Sequence, residues 1–72
     1  MRTFRIQRFD DFDCVRFMLI YPENLSPGER GFQKEVVFSS LGLTVEKWKV
    51  GIEEALSNAK ADFDKELTEL GI

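Results

Sequence analysis

A stripe of apolar residues at helical spacing occupies the C-terminal part of the chain and limits what the rest can form. Over residues 45–70, apolar side chains recur at steps of three and four, the period of one face of an α-helix. The stripe consists of Val45, Trp48, Ile52, Ala55, Leu56, Ala59, Phe63, Leu67 and Leu70. Thr44 is a good N-cap, and Gly71 is placed to end the helix. Gly51 and Ser57-Asn58 are weak helix formers, so the pattern leaves open whether the helix continues or bends at Ser57-Asn58.

Two segments before this helix have the residue pattern of β-strands. In Thr3–Phe9, Phe4 and Ile6 alternate with polar residues, which is the period of a half-buried strand. In Cys14–Tyr21, β-branched and aromatic residues dominate. One face of this second strand consists of Val15, Phe17, Leu19 and Tyr21. Residues 10–13, Asp-Asp-Phe-Asp, suit the loop of a hairpin, because aspartate side chains bond to nearby backbone amides in turns.

The segment that follows contains both prolines of the chain and leaves two readings open. Ser26-Pro27-Gly28-Glu29 fits a capping box, so a short helix over residues 27–35 is one of them. Lys34–Ser40, KEVVFSS, favours a third strand instead, because two adjacent valines precede a phenylalanine. The sequence therefore predicts an α+β fold. A small three-stranded antiparallel sheet, a β-hairpin plus a third strand, packs against one long C-terminal α-helix in the order β-β-β-α.

The length of 72 residues predicts a single domain spanning residues 1–72 with a thin core. One cysteine and no histidine rule out an internal disulfide and an ordinary zinc site, and no residue pattern points to a cofactor. The longest apolar run, Phe17–Tyr21, is far too short to span a membrane, and charges occupy the N-terminus where a signal peptide is apolar. We expect a soluble, cytoplasmic protein that does not enter membranes.

The aspartates at residues 10–13 and the neighbouring Cys14 are the only cluster that resembles a catalytic or metal site. A calcium loop needs about six or more oxygen ligands with a glycine at its sharp turn, and these are missing here. Cys14 follows an aspartate that should raise its pKa, and the chain has no histidine to act as a base. The carboxylates form no evident acid/base pair. We therefore expect neither a metal site nor catalytic residues, and we interpret the chain as a non-enzyme.

The distribution of charge favours a protein-interaction module. Residues 44–72 hold seven acidic residues and four lysines, so the helix carries the whole net charge of −3. The predicted partner-binding acidic face consists of Glu46, Glu53, Glu54, Asp62, Glu66 and Glu69. Such a face suits a protein partner with a basic surface. The size and charge are typical of a small inhibitor or adaptor, and small phage or mobile-element proteins that inhibit nucleic-acid-binding host machinery are of this general type.

A nucleic-acid-binding protein is the alternative function. Its contacts would be Arg2, Arg5, Arg8 and Arg16 in the N-terminal strands. A helix-turn-helix over residues 36–56, with Gly42 in its turn, would be a second route to the same function. The net acidity and a pI near 4.9 oppose both routes, since phosphate contacts dominate the affinity of such proteins.

The lengths of the predicted elements favour a homodimer. A helix over residues 44–70 extends roughly 40 Å, whereas strands of six or seven residues cover only about 20–23 Å. The sheet would then leave the helix end exposed, and Met18 and Ile20 point away from the helix-facing side of the second strand. The residues expected to self-associate are Met18, Ile20, Phe63, Leu67 and Leu70, with Ile72 beside them. The competing interpretation is a monomer that shields these side chains with the loop at residues 22–33 and a bent helix.

Overall fold

A computed structural model describes all 72 residues as three strands followed by one helix. The strands are β1 (Arg5–Asp10), β2 (Cys14–Tyr21) and β3 (Phe32–Ser39), and the helix is α1 (Val45–Glu69). The three strands form one antiparallel sheet in the order β1-β2-β3, and this arrangement confirms the predicted β-β-β-α fold.

Two of the sequence-based alternatives are wrong. The short helix over residues 27–35 does not form, because β3 begins at Phe32 and the preceding residues make only a turn. The helix-turn-helix over residues 36–56 is also wrong, since residues 36–39 lie in β3 and residues 40–44 form no helix. The β-branched and aromatic residues of this segment extend the sheet, where their side chains pack better than on a helix.

The strand register assigns the side chains of the sheet to two faces. Arg8, Phe17 and Val36 lie opposite one another on the face toward α1, which we call the inner face. Phe9, Arg16 and Val37 form the corresponding row on the opposite, outer face. The core lies between the inner face and α1. Its buried members are Phe4, Val15, Phe17, Leu19, Ile52, Ala59, Phe63 and Leu67.

Helix α1 packs mainly over β3 and to a lesser extent over the central strand β2, so it lies off the centre of the sheet. Thr44 caps its N-terminus, where the hydroxyl group accepts a hydrogen bond from the backbone N–H of Lys47. The helix runs without a break through Ser57-Asn58, because the apolar stripe on both sides of this pair is held against the sheet. Strand β1 therefore lies at an edge that the helix does not cover.

The expectation that Phe63 and Leu67 extend beyond the sheet is wrong, since both side chains are buried. The residues that precede β1 run along the C-terminal half of the helix and cover it. Phe4 stacks on Phe63 with ring centroids 5.0 Å apart, and it makes an edge contact with Tyr21. Leu70, in contrast, is exposed as expected.

Ile20 is also buried, although it lies on the outer face, and so the expectation that it needs a second copy as cover is wrong. The loop that follows β2 returns past Arg5, which is the neighbour of Ile20 in the register. Leu25 of this loop is half-buried against Gly31. Met18, one row further along the outer face, remains half-buried with no loop over it.

Candidate functional site

The acidic residues of α1 do not form one face. An α-helix turns by about 100° per residue, so Glu53 and Asp62 lie on opposite flanks, about 180° apart. The flank with Glu53 faces β1, where a shallow groove is lined by both Glu53 and Arg8. The flank with Glu66 faces β3, since the Glu66 carboxylate accepts a hydrogen bond of 2.7 Å from Lys34 Nζ. All six predicted residues are exposed, but they are distributed around the helix instead of making a single docking surface.

The four arginines predicted to contact nucleic acid are likewise divided between surfaces. Arg2 binds the C-terminal part of α1, and Arg8 lies on the inner face over the rings of Phe17 and Trp48. Arg5 and Arg16 lie on the outer face. Three of the four guanidinium groups are held in ion pairs, and only Arg5 is free.

Two aspartates orient neighbouring arginines at this end of the sheet. One is Asp10 at the end of β1, and the other is Asp11 in the hairpin loop, residues 11–13. Asp10 pairs with Arg8 at 2.8 Å, and Asp11 pairs with Arg16 at 3.0 Å. Asp11 also accepts a hydrogen bond from the thiol of Cys14. Partial burial and the negative charge of Asp11 raise the pKa of the Cys14 thiol, so it stays protonated at neutral pH. This end of the hairpin has the properties of a structural turn.

Four apolar side chains are exposed together at the end of the molecule where this hairpin loop lies. They are Phe12, Leu41, Leu43 and Val45. A backbone hydrogen bond of 2.9 Å from the N–H of Ser40 to the carbonyl of Asp13 joins the hairpin loop to the connection between β3 and α1. We call these four residues the apolar end. Monomeric proteins rarely leave such a group uncovered unless it contacts another molecule.

Three residues of the apolar end line a depression of about 340 Å³. Phe12, Leu43 and Val45 line its rim, while the buried Val15 and the half-buried Trp48 form its floor. The loops are joined to each other and to the sheet, so the depression is part of the folded framework. It is large enough to receive an apolar side chain from another protein.

The charge around the apolar end is negative. Asp10 and Asp11 are neutralised by their arginine partners, whereas Asp13 and Glu46 have no cation within ion-pair distance. Glu46 is the acidic residue in the first turn of α1, at the positive end of the helix dipole. Asp13 follows Phe12 and Glu46 follows Val45 in the chain, so two free carboxylates lie next to residues that line the depression.

A second depression begins on the other side of Trp48. This groove of about 230 Å³ lies between β1 and α1 and is lined by Arg8, Trp48, Lys49, Ile52 and Glu53. Because Trp48 lines both the groove and the depression at the apolar end, the two adjoin at this residue.

Sequence reasoning did not identify the apolar end. Phe12 was interpreted only as part of a turn, and Leu41 and Leu43 lie outside every periodic pattern. Val45 was assigned to the core-facing stripe of the helix, but it is exposed because it precedes the part of α1 that rests on the sheet. The available signal was Phe12, a phenylalanine between two aspartates in a tight loop. Turns favour glycine, proline, asparagine, aspartate and serine, so an aromatic side chain there does not serve the turn itself.

Comparison with known proteins adds no assignment, since the chain matches no protein-family model, no curated protein and no solved structure. The apolar residues of α1 are too few and too interrupted by charges for this helix, the only one in the chain, to cross a membrane.

Proposed function

We propose that this protein is a small non-enzymatic interaction module that binds a protein partner through the apolar end, acting as an inhibitor or adaptor. The observation that carries the proposal is the exposure of the four residues of the apolar end, three of which line a depression with Trp48 in its floor. Aromatic side chains in and around a pocket are the usual centre of a protein-protein interface.

The charge of this surface defines the chemistry of the partner. Asp13 and Glu46 are uncompensated, so the partner should present an apolar side chain with a lysine or arginine beside it. A partner with a basic surface is therefore still expected. Its proposed contact site is the apolar end and not the acidic residues on the flanks of the helix. The helix acids outside this region contribute to long-range attraction only.

Nucleic-acid binding is less well supported. A phosphate-binding surface needs several free cations on one face, and the arginines are divided between two faces and mostly ion-paired. Two observations on the outer face still favour nucleic-acid binding. Arg5 has no ion-pair partner, and the Arg16 guanidinium group lies over the ring of Phe9.

The proposal is tested by affinity capture from cells of the source organism with matched variants. The double variant Phe12→Ser with Leu41→Ser removes two exposed apolar side chains of the apolar end. The control, Val37→Ser with Val50→Ser, removes two exposed apolar side chains elsewhere. We expect the control to retain the captured partner and the first variant to lose it while keeping the same circular dichroism spectrum. A partner that binds both variants equally contradicts the proposal.

A further inference from the structure

We infer that the bound partner continues from the apolar end along β1 as an extended segment, which adds a fourth strand to the sheet at the free edge of β1. This inference rests on the proposed function and specifies how the partner binds. The segment would have apolar side chains at alternate positions, facing α1, and at least one acidic side chain.

The size of the apolar end is the first reason. The molecule measures 39 × 25 × 14 Å, so a face across its long axis covers about 350 Å². A stable interface buries about 800 Å² on each partner, roughly twice that amount. The partner must therefore extend from the end onto one side of the molecule. The groove between β1 and α1 is the side that shares Trp48 with the apolar end.

The backbone of β1 is the second reason. β1 pairs only with β2, so its other edge presents unpaired N–H and C=O groups. α1 packs over β2 and β3, which leaves the inner face of β1 without cover. Ile6 consequently stays 36% exposed although it points toward the helix side. An added strand would form hydrogen bonds with the unpaired N–H and C=O groups of β1, and its apolar side chains would cover Ile6.

The opposite edge, at β3, lacks these features. Phe38 packs directly on the helix backbone at Gly51, and Lys34 is bonded to Glu66, so the helix already covers the inner face of β3. A strand added there would not find an open groove beside it. The two edges of the sheet are thus distinguished by the off-centre position of α1.

The charges along the β1 side indicate the acidic residue of the segment. Beyond the apolar end, Lys49 and Lys60 have no carboxylate within ion-pair distance, and Glu53 is the one free acid on the same stretch of the helix flank. Lys49 and Lys60 lie on the helix flank that faces β1, since both are within about 40° of Glu53 around the helix. An acidic side chain on the segment would compensate this excess of positive charge.

The experiment uses a displayed library of random twelve-residue peptides selected against the full chain. We expect enriched peptides in which apolar residues alternate with polar and acidic ones. In nuclear magnetic resonance spectra, a bound peptide should slow hydrogen exchange at alternate amides of β1 and give cross-peaks between its own backbone and that of β1. Failure to enrich any peptide of this pattern, or protection confined to β3 or the outer face, overturns the inference.

Matched variants separate this inference from the proposed function. Ile6→Asp places a charge on the uncovered inner face of β1 and should weaken peptide binding by about tenfold or more, whereas Val37→Asp on the outer face should not. Lys49→Glu provides a second test on the exposed helix flank if Ile6→Asp is poorly folded. A peptide that loses affinity with Phe12→Ser but not with Ile6→Asp or Lys49→Glu contradicts the added strand and still supports binding at the apolar end.

Discussion

The ring of Phe38 in β3 lies so close to the backbone of Gly51 in α1 that a β-carbon at Gly51 would come within 2.4 Å of the ring Cζ atom. Judged from helix propensity alone, Gly51 weakens the helix. In the structure it permits the closest approach between the helix and the sheet, and it draws α1 toward β3. The uncovered inner face of β1 is a consequence of this contact.

Gly51→Ala should destabilise the protein even though alanine is the better helix former. The added methyl group must displace the Phe38 ring, and such overpacking costs about 1–3 kcal/mol against a propensity gain of about 1 kcal/mol. We expect a net loss of about 1 kcal/mol in the free energy of unfolding, measured by urea denaturation. In a Phe38→Leu background the same substitution should become stabilising. Ser57→Ala, at an exposed position of the same helix, should gain a few tenths of a kcal/mol.

Arg2 closes the C-terminal end of α1, whose last turn contains no cation of its own. Its guanidinium group donates to the carbonyl and carboxylate of Asp64, to the hydroxyl of Thr68 and to the carbonyl of Ile72. Arg2→Ala should lower the free energy of unfolding by about 1.5–3 kcal/mol, because charge-assisted hydrogen bonds are lost. Arg5→Ala, at an exposed residue without an ion-pair partner, should change it by less than about 0.5 kcal/mol. Equal effects of the two substitutions would contradict this role of Arg2.

Asp64 should make stability depend on pH in the acidic range. Hydrogen bonds from the backbone N–H and the guanidinium group of Arg2 hold the pKa of Asp64 below its ordinary value. Its contribution is therefore complete above the unfolded-state pKa of about 3.9 and is lost as the pH falls through the lower folded-state pKa. In thermal unfolding from pH 7 to pH 2, the difference between the wild type and Asp64→Asn should shrink as the pH falls. Asp62→Asn, at an exposed and unpaired position, should follow the wild-type curve.

Most of the residues expected to form a homodimer interface are not available for one. Phe63, Leu67 and Ile20 are covered within one chain, which leaves Leu70 and Ile72 after the helix and the outer face around Met18. Three strands of up to eight residues present roughly 400 Å² on that face, about half of what each partner in a stable dimer buries. We therefore predict the mass of a monomer in sedimentation equilibrium at micromolar concentration. A dimer that dissociates with Met18→Glu would restore the original expectation.

The order and type of the elements could be predicted because each has a local signal. The stripe that contains Ile52 and Leu67 has the period of a helix, and the branched residues of β2 and β3 favour strands. The arrangement around the site could not be predicted, since it depends on contacts between distant residues. Phe4 covering Phe63, and Gly51 placing α1 toward β3, connect parts of the chain that no periodicity relates. These contacts decide which apolar side chains remain exposed.

Photo-crosslinking tests the binding role of the apolar end most directly. Benzoylphenylalanine would replace Phe12 in one variant and Phe32 in a matched control, since both are exposed aromatic residues and Phe32 lies at the opposite end of the sheet. After irradiation in cells of the source organism, binding at the apolar end predicts one defined crosslinked protein at position 12 and none at position 32. The same crosslinked protein at both positions, or at position 32 alone, would contradict it.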